Sequence, residues 1–271
     1  MDELLLALGR KANIMHRTWL ISTVAAATLF FILARHVTLI VIHVNPISMH
    51  IVGWGLWFLW QSWLFPLNRK RYIRADPATS YRKAFYRDIL PGASFAASQA
   101  LYPVFFAYAT NGLGVLSAFQ IAIGSICIGL GTFLVYFGFR TIGIATAGFV
   151  LEYQAIPQPL VIRCVYSYLR HPIFCGGIMA SFGASLLSGN VWSLAIGTLN
   201  LAALPVYWWL EDARLIRIFG DSYLRYRSNV PPFLPRFRAL KSIIVKVSNT
   251  SSLPKYDRKL ADSSQSRLRL R

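Results

Sequence analysis

The chain has 271 residues, of which 55% are hydrophobic and only 14% charged, and it carries a formal net charge of +18. A soluble domain carries about 25% charged residues, so this composition excludes an ordinary soluble enzyme and points to an all-α polytopic membrane protein. The cations fall between apolar runs and in the tail, not on one soluble face, which argues against nucleic-acid binding.

Residues 1–17 form a short amphipathic lead with Arg10, Lys11 and Arg17. A first span is expected from Thr18 to Ala34, with apolar residues continuing to Val44, so the helix can run long and tilted. Arg35 interrupts it and is expected to snorkel to the outer headgroups, because no acidic partner lies near in sequence. The second span, Ile47 to Leu67, repeats Trp54, Trp57, Trp60 and Trp63, a stripe expected to serve packing or interface anchoring.

A hydrophilic loop with seven Lys or Arg follows, turning at Asp76-Pro77 and suited to contact with anionic lipids. Third and fourth spans are read at Pro91–Ala109 and Val115–Phe139, joined by a turn at 111–114. Gly124, Gly129 and Gly131 in the fourth allow close helix approach. A mixed segment with Glu152, Pro157 and Pro159 then lies along the membrane surface, before spans at Pro172–Leu187 and Val191–Leu210. The polar, basic tail after Phe237 is expected to be disordered. This divides the chain into amino-terminal spans (1–140), a hairpin segment (141–236) and a tail (237–271).

In this scheme 27 of the 28 Lys and Arg lie on one side, all but Arg35. The positive-inside bias then puts both termini in the cytoplasm. Cys127, Cys164 and Cys175 have no metal-ligand spacing and read as packing residues.

The last two spans form a hairpin that returns Glu211-Asp212 to the face of Arg170-His171-Pro172. Pro172 suits a first helical position, and the free N–H groups of that helix start favour an anion. Gly176-Gly177 would admit a flat ligand, while Glu211 and Asp212 offer acceptors to an amine or ribose hydroxyls. On chemistry alone S-adenosylmethionine and NADPH both satisfy such a site.

The run RHPIFCG, followed across the hairpin by ED and then FGDSYLRYRSNVPP, resembles the isoprenylcysteine carboxyl methyltransferase and phospholipid methyltransferase superfamily. The family pattern is roughly R-H-P-x-Y-x-G, then E-E, then F-G-x-x-Y-x-x-Y and V-P. Phe174 stands where Tyr is usual, and Asp212 where the second Glu is. The resemblance covers about residues 150–236.

It implies a multi-pass membrane enzyme of a bacterial inner membrane or endoplasmic reticulum. That enzyme would use S-adenosyl-L-methionine to methylate a lipophilic or lipidated acceptor. It implies cofactor contacts from Tyr168, Arg170, His171, Pro172, Phe174, Gly176, Glu211, Asp212 and Tyr223, with Glu211 and Arg170 the catalytic candidates. A sterol-type NADPH reductase and a non-enzymatic membrane accessory protein are the alternatives. Oligomeric state and acceptor atom are open at this point.

Overall fold

The computed structural model describes residues 1–110, 114–153 and 160–233. The residues 111–113, with most of the expected turn there, the 154–159 stretch and the basic tail after Phe237 lie outside the described residues. Among the described residues all regular structure is helical.

Helix α1 (Asp2–Ala7) is short, and α2 (Ile14–Ile42) is an unbroken helix of 29 residues. Asn13 starts α2 by accepting from the His16 N–H, and its length of about 43 Å at 1.5 Å per residue exceeds a hydrocarbon core of ~30 Å. Asn45 likewise caps α3 (Pro46–Leu59), with Pro46 in the first turn where its missing N–H costs nothing. A wide turn at Trp60–Leu64 leads into α4 (Phe65–Ala75). Another at Phe85–Ile89 joins α5 (Ser80–Ala84) to α6 (Leu90–Ala109). Each wide turn is followed within two residues by a proline, Pro66 or Pro91, whose ring cannot enter a regular helical turn without displacing the preceding carbonyl.

A Ser117–Gln120 capping box opens α7 (Ala118–Ile142). Two short helices follow, α8 (Ile144–Ala147) and α9 (Val150–Tyr153). The predicted hairpin is present as α10 (Pro172–Leu187) and α11 (Val191–Phe219), which turn at Ser188–Asn190. Helix α11 is longer than expected and carries Glu211 and Asp212 in its interior. Gly220, at φ +56°, then breaks the chain into α12 (Asp221–Asn229).

Among the described residues four helices can cross a membrane by length and apolar character: Ile14–Ile42, Ser80–Ala109, Ala118–Ile142 and Val191–Phe219. Pro172–Leu187 is a shorter apolar helix, and the Trp-rich 46–75 run is not among the four. The bundle is nonetheless the all-α membrane architecture read from the sequence.

Helices α7 and α10 pack antiparallel at close range. A Cβ on Gly131 would lie 2.5 Å from the Gly176 carbonyl oxygen, and one on Gly183 would lie 2.6 Å from that of Gly124. The heptad spacing of these glycines keeps one bare stripe on each helix, so backbones meet directly. Gly176 therefore faces α7, and its bareness serves helix packing; the expectation that it opens space for a flat ligand is corrected here.

Trp54 and Trp57 are buried against Cys175, Ile178, Ala203 and Leu204, whereas Trp63 is 66% exposed. Arg35 departs from expectation. It is only 7% exposed, inside the bundle, where Nη1 donates to Gln99 Oε1 at 2.9 Å and the guanidinium lies 3.5 Å over the Tyr102 ring. Its partners are 64 and 67 residues away, so no local pattern could reveal them.

Candidate functional site

Arg170, His171 and Asp212 meet as the hairpin geometry requires. Arg170 Nη1 donates to Asp212 Oδ2 at 2.5 Å, and His171 Nε2 lies 2.9 Å from Asp212 Oδ1. Tyr223 on α12 donates its hydroxyl to the same Oδ1 at 2.5 Å, and Arg227 Nε approaches Oδ2 at 3.4 Å. Asp212 is 3% exposed, so these donors replace the water it has lost.

Two backbone links close this knot. The Arg170 N–H donates to the Pro231 carbonyl at 3.1 Å, and the Tyr226 hydroxyl donates to the Tyr166 carbonyl at 2.6 Å. Burial pushes the Tyr223 and Tyr226 hydroxyls above the ordinary tyrosine range, so both stay donors. Burial, reinforced by Arg170, holds the His171 imidazole below its ordinary value, although Asp212 opposes the shift. His171 is thus neutral at neutral pH, with its Nε2–H directed to Asp212.

Beside the knot lies a cavity of about 1340 Å³. Its polar end presents Arg170, His171, Glu211, Arg214, Tyr223 and Glu152. Apolar side chains line much of the rest, among them Phe58 and Leu59 of α3, Phe139 and Ile142 of α7, and Val206 and Trp209 of α11, together with Gln61, Ser62, Arg69, Lys70 and Arg217. Arg170 Nε is buried and has no hydrogen-bond partner among the described residues. Phe174 stacks on Tyr207 with ring centroids 3.6 Å apart and planes at 8°, and His171 meets Tyr207 edge-on at 5.8 Å. The ring of Phe174 is used although it lacks the hydroxyl of a tyrosine.

Of the residues expected at the site, Arg170, His171, Phe174, Glu211 and Tyr223 line the cavity. Asp212 sits behind them as the common acceptor of Arg170, His171 and Tyr223. Pro172 is buried as the first residue of α10, Gly176 faces α7, and Tyr168 is half-buried at the end of the 164–167 turn.

Two residues were not singled out from sequence. Arg214 pairs with Glu211 through Nε at 2.8 Å and through Nη2, and its Nη1 contacts the Glu152 carboxylate. Arg69 of α4 donates through Nε and Nη2 to the Glu152 carbonyl at 3.2 and 2.6 Å. Arg214 was legible in principle, lying three residues beyond Glu211 on one helix face. Glu152 was not, because its partners are far away in sequence.

The fold and cavity define a class: a helical membrane bundle with a polar pocket at one end of a hairpin, opening onto apolar walls. Residues 119–222 match the phospholipid methyltransferase family, a stretch that holds the R-H-P and E-D runs and the start of the F-G-x-x-Y-x-x-Y run. The match begins early enough to take in α7, the helix whose glycines pack against α10.

Protein-S-isoprenylcysteine O-methyltransferase of Schizosaccharomyces pombe is 30% identical over 129 residues, 45% of this chain and 51% of that protein. Its Xenopus laevis counterpart is 31% identical over 122 residues, 41% of this chain and 42% of that protein. Methanethiol S-methyltransferase 1 of Bradyrhizobium diazoefficiens is 30% identical over 88 residues, covering 32% and 30%. The chain thus spans about half or less of the length of these curated relatives. No solved structure matches.

Proposed function

We propose that the protein is an integral membrane methyltransferase that takes its methyl group from S-adenosylmethionine and delivers it to a lipophilic or lipidated acceptor. The observation that carries this reading is one cavity lined both by the charged and hydroxyl groups of the hairpin mouth and by aromatic and aliphatic side chains. The names of the relatives, all methyltransferases, favour group transfer over reduction.

The residues fit the cofactor's chemistry. The Arg170 guanidinium, at the cavity lining, offers a cation to a carboxylate, and Glu211 offers oxygens to an ammonium or hydroxyl. Phe174 and Tyr207 give flat apolar surface. When bound, the cofactor supplies a methyl group made electrophilic by an adjoining sulfonium. The protein's part is alignment and exclusion of water. Asp212 holds Arg170, His171 and Tyr223 in register, and the apolar walls keep the acceptor atom in line with the transferred carbon. A carboxylate or thiolate acceptor needs no base, whereas an amine acceptor would pass a proton to Glu211.

In this reading residues 141–236 carry the cofactor and the spans within 1–140 shape the acceptor side, with both termini in the cytoplasm. Calorimetric titration of detergent-purified protein with S-adenosylhomocysteine, with NADPH alongside, tests it. Micromolar binding of the former alone is expected, and it is abolished in His171→Ala and Glu211→Ala while membrane insertion persists. Binding of NADPH alone would overturn the reading in favour of a reductase, and unchanged binding in both variants would overturn the site.

A further inference from the structure

A second polar cluster lies away from the cavity, toward the opposite end of the bundle. Arg35 of α2 bonds Gln99 of α6 and stacks on Tyr102 of the same helix. Beside them Asn200 of α11 accepts from Trp54 Nε1 at 2.8 Å and meets His50 Nε2 at 2.7 Å. The Asn200 amide donates to the Gln99 carbonyl at 3.3 Å and to Ser181 Oγ at 3.1 Å. Arg35 lies seven residues before the end of α2, His50 four after the start of α3, Asn200 nine after the start of α11 and Gln99 ten before the end of α6, so the cluster lies roughly 6–15 Å inside those helix ends at 1.5 Å per residue.

The accounting of this cluster does not balance. Arg35 Nε and Nη2, Tyr102 Oη and His50 Nδ1 are all buried without a hydrogen-bond partner. No ion pair reaches Arg35 among the described residues. An uncompensated guanidinium is among the costliest groups to hold in a membrane interior, and buried polar atoms are almost always bonded. The two free nitrogens are also particular. Nη1 is spent on Gln99, while Nε and Nη2 form the straight edge of the fork, the edge that receives an anion bidentately. Arg17 and Arg69 use that same Nε/Nη2 edge on the Asp2 carboxylate and the Glu152 carbonyl.

We propose that the Nε/Nη2 edge of Arg35 is an intramembrane anion site, with the Tyr102 hydroxyl as an adjacent donor. The bound anion supplies the countercharge that no acidic side chain among the described residues provides, and it ties α2 to α6. Its chemistry is that of one small anion, either a free halide or the phosphate oxygen of a lipid. Gln99 is held in place for this arrangement by Gly53, whose bare Cα admits the Gln99 amide where a Cβ would lie 2.4 Å from its nitrogen. The inference is independent of the methyl-transfer reading.

The test is thermal unfolding of the purified full chain in sodium chloride and in sodium gluconate at matched ionic strength. Chloride at about a hundredfold excess over its dissociation constant is expected to raise the midpoint by roughly 5 °C and then saturate. Arg35→Gln is expected to erase the difference, and bromide is expected to give an anomalous peak at hydrogen-bonding distance from Nε and Nη2. Where Arg35→Gln fails to fold, Arg35→Lys serves, since it keeps the charge and loses the fork; a chloride midpoint shifted about tenfold higher is expected. Delipidated protein assigns the source: a rise given by phosphatidylglycerol and absent with chloride makes the anion a lipid phosphate. Equal midpoints in all these conditions, or a chloride effect kept intact in Arg35→Gln, would overturn the proposal.

Discussion

The Tyr223 hydroxyl and Asp212 Oδ1 are 2.5 Å apart, and through that bond the last described helix is fastened to the interior of the hairpin. Arg170 and His171 share the same carboxylate, so one acidic side chain orients three donors from two segments. Glu211, one residue earlier on α11, faces the cavity with Arg214.

Asp212→Ala leaves the Arg170 guanidinium buried without its acceptor. Loss of one partner of a buried pair costs about 3–5 kcal/mol. The variant is expected to unfold at markedly lower temperature, and α12 is expected to lose hydrogen-exchange protection before the rest. Tyr223→Phe removes only one neutral donor and is expected to cost about 1–2 kcal/mol by the same thermal measurement.

Glycine substitutions separate packing from open space. Gly131→Ala and Gly176→Ala each force a methyl group onto a backbone oxygen 2.5 Å away, and a cost of about 1–3 kcal/mol each is expected from overpacking. Gly129→Ala meets nothing within 4 Å and is expected to be neutral or slightly stabilising. Thermal midpoints of the three variants in one detergent decide the matter; a Gly129 variant as damaged as the others would refute the assigned helix face.

The lowered pKa of His171 makes stability depend on pH with a definite sign. The folded protein keeps this imidazole neutral below its ordinary value of 6.5, whereas the unfolded chain takes up the proton. Its contribution is therefore complete above 6.5 and declines as the pH falls from there toward the folded value. Thermal midpoints measured from pH 8 to pH 5 are expected to fall on the acid side, with a shallower fall in His171→Gln.

Arg214→Lys keeps the charge but cannot reach Glu211 and Glu152 together from one planar head. Under the proposed function, S-adenosylhomocysteine affinity is expected to drop about tenfold, or ~1.4 kcal/mol, with little change in thermal midpoint. Unaltered affinity would show that Glu211 needs no such orienting partner.

How much of this was legible depends on how local each signal is. The hairpin could be read because uncharged runs of membrane length are bounded by Pro172, by Ser188-Gly189-Asn190 and by Glu211-Asp212 within one stretch of chain. The meeting of Arg170 and His171 with Asp212 follows from that hairpin. The environment of Arg35 could not be read, since Gln99 and Tyr102 enter its surroundings from another helix. Gly176 shows the converse: its smallness was visible, but whether it faced a ligand or a helix depended on the rotation of α10 about its axis.

The sequence by itself determined the class of protein, the hairpin that starts at Pro172 and turns at Ser188–Asn190, and the resemblance of its carboxy-terminal segment to a methyltransferase superfamily. Apolar length, capping residues and motif spacing are properties of neighbouring residues, and they act before any tertiary contact forms. Only the tertiary structure decided that Asp212 is a shared acceptor behind the cavity, that Glu211 is held by Arg214 beside Glu152, and that Arg35 is buried with two of its three guanidinium nitrogens unspent. Those facts depend on which faces of separate helices turn toward one another. In this bundle that is settled by close glycine contacts and by the pairing of buried polar groups across distant parts of the chain.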